Sequence, residues 1–311
     1  MTTGSDGVFV CGGSGFIGSS LIKHLTRPGS PWGPVRGLVR SADGAARVRA
    51  AGGEPVFGDL LDEVGAWREA AARAAYVVHC AQPSIGSRPS ERSAMDRCLL
   101  RSLDARRLRR VLVVFGSSYY GRTEEGGSLD ETVPTRRPTG LGSSYALGVQ
   151  ALRSIGQDLD WVAAFPGGVY GRGTWFLEHC LRAIQAAEPI VLRDPPAIWP
   201  YLHIEDCVRA LEFLMTVDGA RLDALGREVI LADDEPAPMS RFVDYMSEAV
   251  GKPPTVRLLS EDALRELLPP FYFGQLSANM VHRNTRLKRL GFELKYPRIR
   301  EGIRALDLPR L

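Results

Sequence analysis

The sequence predicts an α/β fold: a doubly wound parallel sheet over the first half of the chain, then a smaller C-terminal α+β lobe. Three observations lead there. Short apolar runs alternate with helical patterns as far as Phe165. A glycine-rich turn joins the first run to the first helix. Prolines cluster beyond about residue 170, where the alternation stops.

The apolar runs are Val8–Cys11, Val35–Val39, Glu54–Phe57, Tyr76–Cys80, Val111–Phe115 and Trp161–Phe165. Helical patterns such as Phe16–Leu25 and Tyr145–Gln157 lie between them. Strands separated by crossover helices build a parallel sheet with helices on both faces. Such strands are covered on both sides, and Val-Leu-Val-Val-Phe at 111–115 is apolar at every position. In the later part Pro189, Pro195, Pro196, Pro200, Pro236, Pro238, Pro253, Pro254, Pro269 and Pro270 shorten the helices and lengthen the loops. The expected division is a first domain over 1–170 and a substrate lobe over 171–311, some segments of which return to the first domain.

Residues 8–18 read V-F-V-C-G-G-S-G-F-I-G. Gly13, Gly15 and Gly18 satisfy G-x-G-x-x-G directly after a strand and at the opening of a helix, the context that gives the motif its meaning. The turn needs backbone angles open to glycine. A side chain at Gly15 would block a pyrophosphate, and Gly18 lets helix and strand pack closely. The free N–H groups and positive end of the helix then face the phosphates. The sheet is therefore expected to be of the Rossmann type, with Gly12, Gly13, Ser14, Gly15, Phe16, Ile17 and Gly18 around a dinucleotide.

The second strand ends at Arg40-Ser41. An acid here would bind ribose hydroxyls and repel a 2′-phosphate, whereas the Arg40 fork suits phosphate. NADP(H) is expected over NAD(H). Arg36 points to the other face of the strand.

Composition excludes other classes. The 311 residues carry 39 basic and 36 acidic groups, a net charge of +3, too balanced for a nucleic-acid surface. Four of the basic residues are lysines: Lys23, Lys252, Lys288 and Lys295. The five cysteines are scattered, with no C-x-x-C pair and no histidine at ligand spacing, so no metal is expected. Cys11 and Cys80 lie in apolar runs and read as buried thiols. No apolar run reaches the length of a membrane span, and the N-terminus lacks the pattern of a leader. A cytoplasmic protein is expected. The run Arg106, Arg107, Arg109, Arg110 reads as a solvated helix end.

The chain resembles the extended short-chain dehydrogenase/reductases, the family of nucleotide-sugar epimerases, dehydratases and dihydroflavonol-type reductases, over nearly its whole length. G-G-S-G-F-I-G at 12–18 is similar to the family's glycine loop. By resemblance, G-D-L at 58–60 puts Asp59 and Leu60 near the adenine. H-C-A-Q at 79–82 resembles the end of the fourth strand, with Cys80, Ala81 and Gln82 beside the cofactor. F-P-G-G-V-Y-G-R-G at 165–173 resembles the segment that packs by the nicotinamide, which implies contacts from Pro166, Gly167, Gly168 and Val169. F-G-S-S at 115–118 resembles the strand end that bears the catalytic serine, Ser118 or Ser117. S-Y-A-L-G-V at 144–149 resembles the helix of the catalytic tyrosine, Tyr145. Y-L-H-I-E-D at 201–206 and N-T-R-L-K-R-L-G-F at 284–292 complete the match.

The family reaction that this implies uses the Tyr hydroxyl as acid or base on the substrate oxygen, with the Ser bonded to the same oxygen. A Lys four residues after the Tyr shares its helix face, lowers its pKa and holds the nicotinamide ribose. Here position 149 is Val. Arg153, one turn further along, is the candidate to supply charge by reaching back. A reductase could use Tyr145 as an ordinary protonated acid, since a free phenol has a pKa near 10. The leading expectation is an NADPH-dependent reductase of a carbonyl or conjugated group in a small organic molecule. The rivals are a nucleotide-sugar epimerase or dehydratase, and a catalytically silent NADP(H)-binding sensor or assembly protein. Tyr119 and Tyr120 are substrate contacts or packing, and His203 reads as a structural histidine. Trp175, Phe176, Trp199, Phe271, Tyr272 and Phe273 are core or pocket; as pocket they would favour an apolar or aromatic substrate. The partner expected is a small molecule, with no nucleic acid and no membrane. The helix near 90–105 is short and charged, which leaves monomer and homodimer open.

Overall fold

The structure, a computed structural model, describes residues 7–83, 87–133 and 141–311. Its described residues fall into two compact units. The first takes them from Met1–Phe115, Ser143–Phe165 and Val208–Val229, the second from Gly116–Gly142, Pro166–Cys207 and Ile230–Leu311.

The first unit is built on strands β1 (Val8–Cys11), β2 (Val35–Val39), β3 (Glu54–Phe57), β4 (Tyr76–His79), β5 (Arg110–Val114) and β6 (Trp161–Pro166). With the strand Glu228–Leu231 they make a seven-stranded sheet. Its order is β3-β2-β1-β4-β5-β6 and then Glu228–Leu231. All pairings among β1 to β6 are parallel. β5 is buried throughout, as an apolar strand covered on both faces must be. Each such Val or Leu contributes about 1.5–3 kcal/mol by leaving water. The helices are α1 (Phe16–Leu25), α2 (Ala42–Ala50), α3 (Ala66–Ala72), α4 (Pro89–Leu100) and α5 (Gly142–Ile155). Strand order reverses direction at β1, whose neighbours are β2 and β4. In this topology ligands bind at the carboxyl ends of the strands by the reversal point. Cys11 stands level with His79 across the β1–β4 pairing, so the glycine turn and the His79–Ala81 segment emerge side by side.

Arg110 corrects the reading of the basic run as wholly solvated. It opens β5 and is buried. Its Nε and Nη2 donate to Asp160 Oδ2 at 3.1 and 2.7 Å. Its Nη1 donates to the carbonyls of Leu214 and Val217, at the C-terminal end of the helix Ile204–Thr216. Terminal helix carbonyls lack intrahelical partners and favour a cation. Burial opposes the charge on Asp160, but the bonds from Arg110 and Arg227 outweigh it and hold its carboxyl below the usual range.

The second unit has an aromatic core. Tyr201 stacks on Phe242 with ring centroids 5.2 Å apart, and Phe176 and Trp199 pack beside them. Short two-stranded pairings hold its loops: Gly168–Tyr170 with Tyr201–His203, Ile198–Trp199 with Ala237–Pro238, and Pro189–Arg193 with Thr255–Leu259. Among the described residues, no helix is long and apolar enough to cross a membrane.

Candidate functional site

The glycine loop follows β1 without a break. Gly12 is its left-handed residue, at φ +76°. Gly13, Gly15 and Gly18, the three glycines of the motif, do not supply that turn angle. Their requirements differ. A Cβ on Gly18 would lie 2.2 Å from the Gly12 carbonyl oxygen, and one on Gly13 2.8 Å from Gly37 Cα. Gly12 would meet the Ala81 nitrogen at 2.7 Å. These three are needed by the protein itself. Gly15 is exposed, and a Cβ there would meet only the Gly12 oxygen, at 3.3 Å. A side chain at Gly15 would press only on that one oxygen, which must give by a few tenths of an ångström, so the exposed space in front of Gly15 suits a ligand. α1 begins at Phe16 with no side-chain cap and no acidic residue in its first turn. Its first N–H groups are therefore open to an anion. This cradle fits the pyrophosphate of a nicotinamide dinucleotide, with Phe16 and Ile17 in the first turn and Gly18 packed beneath.

Ser14 points toward the start of α2, since a Cβ on Gly44 would lie 3.2 Å from its Oγ. Ser41 caps α2, its Oγ accepting the Gly44 N–H at 3.1 Å. Arg40 precedes it with 67% of its side chain exposed, and its Nη1 lies 3.6 Å from Asp59 Oδ2. An ion pair this exposed contributes little and is readily exchanged for another anion. Arg36 pairs with Glu54 instead. Asp59 Oδ1 also accepts the Leu61 N–H, and Leu60 is buried. Cys80 and Ala81 are half-buried and Gln82 is exposed. Burial pushes the Cys80 thiol up to about 12 and also raises the Cys11 thiol well above its ordinary value, so both stay protonated.

Beside the strand ends of the first unit, Phe115 stacks on Phe165 at 5.5 Å and meets Tyr145 edge-on at 5.9 Å. Tyr145 is buried in the first turn of α5, and burial pushes its phenol up to about 12, with Arg92 pulling weakly the other way. Val149, one turn on, is 1% exposed. Arg153 does not reach back to this place: its guanidinium bonds Glu228. Helical geometry directs residue 153 along the outer side of α5, where Glu228 is the nearer partner.

Sequence reasoning missed the group beneath Tyr145. α4 looks like a charged surface helix, yet Arg92 and Asp96 are both buried. Arg92 Nε donates to Asp96 Oδ1 at 2.9 Å, Nη1 to the Ala81 carbonyl and Nη2 to the Val114 carbonyl, both at 3.0 Å. Its guanidinium carbon lies 4.8 Å from the Phe115 ring centroid and 5.9 Å from that of Tyr145. His79 Nε2 is 3.0 Å from the same Asp96 oxygen. Burial, then the Arg92 charge, keeps His79 neutral. Burial opposes ionisation of Asp96, but Arg92 and His79 prevail and hold it below the usual carboxylate range. Gly148 belongs to this contact too, because a Cβ there would lie 2.4 Å from Asp96 Oδ2. The signal lay in spacing: Arg92, Met95, Asp96 and Leu99 share one helix face.

In the second unit, Ser117 and Ser118 lie in a buried 3₁₀ turn, Ser117–Tyr120. Tyr119 and Tyr120 are buried with them. Gly167 is required because a Cβ would fall 2.0 Å from the Pro200 carbonyl oxygen. The amides of Gly167 and Gly168 donate to Leu231 and Pro200, and this fixes the Pro166–Val169 segment. Phe176 and Trp199 are core, whereas Trp175 is 43% exposed and meets Tyr272 at 5.4 Å. Tyr272 and Phe273 are half-buried, and the side chain of Phe271 lies outside the described residues. His203 accepts the Glu205 N–H on Nδ1 and packs on Tyr296 at 4.3 Å; burial keeps it neutral, as a structural histidine. Among the described residues, no cluster of His, Cys, Asp or Glu could hold a metal ion.

Comparison with known proteins agrees with this fold. A 3-diazoavenalumate denitrifying reductase from Streptomyces sp. is 27% identical over 95% of this chain and 98% of its own length. An uncharacterised Schizosaccharomyces pombe protein is 40% identical, but over only 24% of each chain. Among solved structures, a human epimerase family protein with NADPH has a TM-score of 0.77 at 17% identity, covering 96% of this chain and 98% of that one. Thermus thermophilus UDP-glucose 4-epimerase with NAD has a TM-score of 0.75 at 22% identity, covering 96% of each chain. The model of the NAD dependent epimerase/dehydratase family matches residues 8–223, which run from β1 through the glycine loop and Tyr145. With its seven-stranded sheet and NAD(P)-binding fold, the chain belongs to the NAD dependent epimerase/dehydratase family.

Proposed function

We propose that the chain is an NADPH-dependent reductase of a carbonyl or conjugated group in a small, apolar or aromatic organic molecule. The observation that carries this reading is Tyr145 beside Val149. A buried phenol with its pKa at about 12 holds its proton at neutral pH. It can donate that proton to an oxygen that gains charge, and it cannot readily remove one. Reduction needs the donor; epimerisation or dehydration through a 4-keto sugar first needs a base.

When bound, the nicotinamide supplies a hydride to the substrate carbon. Tyr145 then gives its proton to the substrate oxygen, and Ser118 or Ser117 hydrogen-bonds that oxygen, the role the resemblance gives them. The α1 N–H groups and Gly12–Gly18 hold the pyrophosphate. Asp59 and Leu60 flank the adenine, and Arg40 and Ser41 take the 2′-phosphate. By the resemblance, Cys80, Ala81 and Gln82 would stand beside the cofactor, and Pro166, Gly167, Gly168 and Val169 would contact the nicotinamide. The Streptomyces relative, a reductase aligned over nearly the whole chain, supports the direction of the reaction. The compartment we propose is the cytoplasm.

NADPH consumption over a panel of ketones, quinones and enones tests the proposal. Turnover of at least one substrate class, lost in Tyr145→Phe, is expected. Tight NADPH binding without turnover on any of them would overturn the reductase and put the silent sensor in its place as the leading reading.

A further inference from the structure

By the resemblance, the absent lysine has two tasks: supplying positive charge beside the tyrosine and holding the nicotinamide ribose. Val149 does neither. Arg92 lies buried under the same tyrosine, on the neighbouring helix.

Its bonds are unusual for an arginine. One edge of the fork grips the carbonyls of Ala81 and Val114, just past the end of β4 and at the end of β5. Ala81 in turn backs the glycine loop, because its amide stands where a Cβ of Gly12 would go. The guanidinium carbon stands over the Phe115 ring at 4.8 Å and over the Tyr145 ring at 5.9 Å. Asp96 holds Nε, and Gly148 lets α5 settle onto Asp96. An ion pair buried merely for stability is weakly favourable at best. This one joins the strand ends, the loop and the tyrosine helix through one rigid group, and Lys cannot reproduce the fork.

We infer that Arg92 is a positioning residue: from between the ends of β4 and β5 it orients the Tyr145 ring, on whose own helix Val149 offers no polar group. The inference rests on reading Tyr145 as the acid. Arg92 leaves the phenol protonated, because the burial of Tyr145 outweighs the pull of the Arg92 charge.

A four-protein cycle tests this: wild type, Tyr145→Phe, Arg92→Lys and the double variant, assayed for NADPH-dependent turnover of whichever carbonyl substrate the panel yields. In the wild-type background Tyr145→Phe should cost about 10²–10⁴-fold. In the Arg92→Lys background the same change should cost at least about tenfold less, the non-additivity expected of groups that act together. An arginine that serves only as a core clamp would leave the cost of Tyr145→Phe unchanged, and the inference would fall. A second readout needs no cofactor. In the free protein labelled with [13Cζ]-tyrosine, the Tyr145 resonance is assigned by its loss in Tyr145→Phe. Arg92→Lys should shift or broaden that line and leave the other tyrosine lines in place. An unmoved line overturns the inference. If Arg92→Lys fails to melt cooperatively, Arg92→Gln with Asp96→Asn removes both charges without an orphan, and the same two readouts apply. Should Tyr145→Phe keep full turnover in the wild-type background, the acid reading fails, while the resonance still decides whether Arg92 orients the ring.

Discussion

Two residues carry the proposed chemistry, Arg40 and Tyr145, and one substitution at each can test it. Arg40 is exposed and only loosely paired with Asp59. A charge-assisted contact to a 2′-phosphate is worth about 1.5–3 kcal/mol, or roughly tenfold to a hundredfold in affinity. Titration of wild type and Arg40→Ala with both cofactors should show the NADPH preference shrinking by that factor, with NADH affinity little changed. Equal loss for the two cofactors would mean that Arg40 does not read the phosphate. Tyr145 sets the pH response. Its folded pKa is raised above the ordinary 10 to about 12, so the proton is present throughout the neutral and mildly alkaline range. The reductive kcat should therefore hold its value up to about pH 10 as far as this group governs it, falling only as the phenol ionises. A kcat that falls between pH 7 and 9 in wild type and not in Tyr145→Phe would assign a lower pKa and restore the base. Legibility differed between these residues. The sequence shows Tyr145, Val149 and Arg40 directly. It does not show that Arg153 turns to Glu228, because which neighbour a long side chain reaches depends on segments distant in sequence.

At the scale of elements, the strands were the most legible part. Val8–Cys11, Val35–Val39 and Glu54–Phe57 have the expected bounds, and the others differ by a residue at either end. Strands covered on both faces write their burial into composition. α4 was illegible for the opposite reason. Its Arg and Asp are buried as a mutually neutralising pair, and residue type alone reports such a face as solvated. The glycine loop separates protein requirement from ligand requirement. Gly18→Ala would press a methyl group against the Gly12 carbonyl oxygen at 2.2 Å, so it should lower the melting temperature and cofactor affinity together. Gly15→Ala meets nothing closer than 3.3 Å, and its φ of −76° suits alanine. It should melt within a degree or two of wild type, yet bind NADP(H) at least about tenfold more weakly, since one blocked phosphate contact is worth 1.4 kcal/mol or more. Calorimetric titration beside a melting curve reads both. Unchanged affinity in Gly15→Ala would remove the pyrophosphate from that loop.

Taken whole, the chain holds an unusual number of histidines neutral: burial lowers the pKa of His79, His179, His203 and His282. The clearest case is His282. It is fully buried, bonded through Nε2 to the Gly121 carbonyl at 2.9 Å, and its pKa falls from 6.5 to about 4. It also fastens the second unit across a long sequence gap. The Thr123 and Leu129 amides donate to the Asn279 and Val281 carbonyls, and the Leu129 carbonyl accepts a bond from the Arg283 amide in return. A group whose folded pKa is depressed contributes stability that is complete above its unfolded pKa and is lost as pH falls toward the folded value. For His282 the window is pH 6.5 down to about 4, and the loss by pH 4.5 is about 2.5 kcal/mol. Asp233 and Glu131 oppose it, because burial raises their pKa and they gain from protonation in the same range. The net acid response of wild type is thus a difference of terms, and one variant isolates the histidine. His282→Gln keeps an amide to donate to Gly121 and cannot titrate. It should start lower in melting temperature at pH 7, from imperfect repacking, and then lose less on acidification. Between pH 7 and 4.5 its melting temperature should fall by about 5–10 °C less than that of wild type, at about 2–4 °C per kcal/mol. Equal falls in the two proteins would show that His282 is protonated without penalty, and that the packing of Gly121 against it is looser than the structure has it.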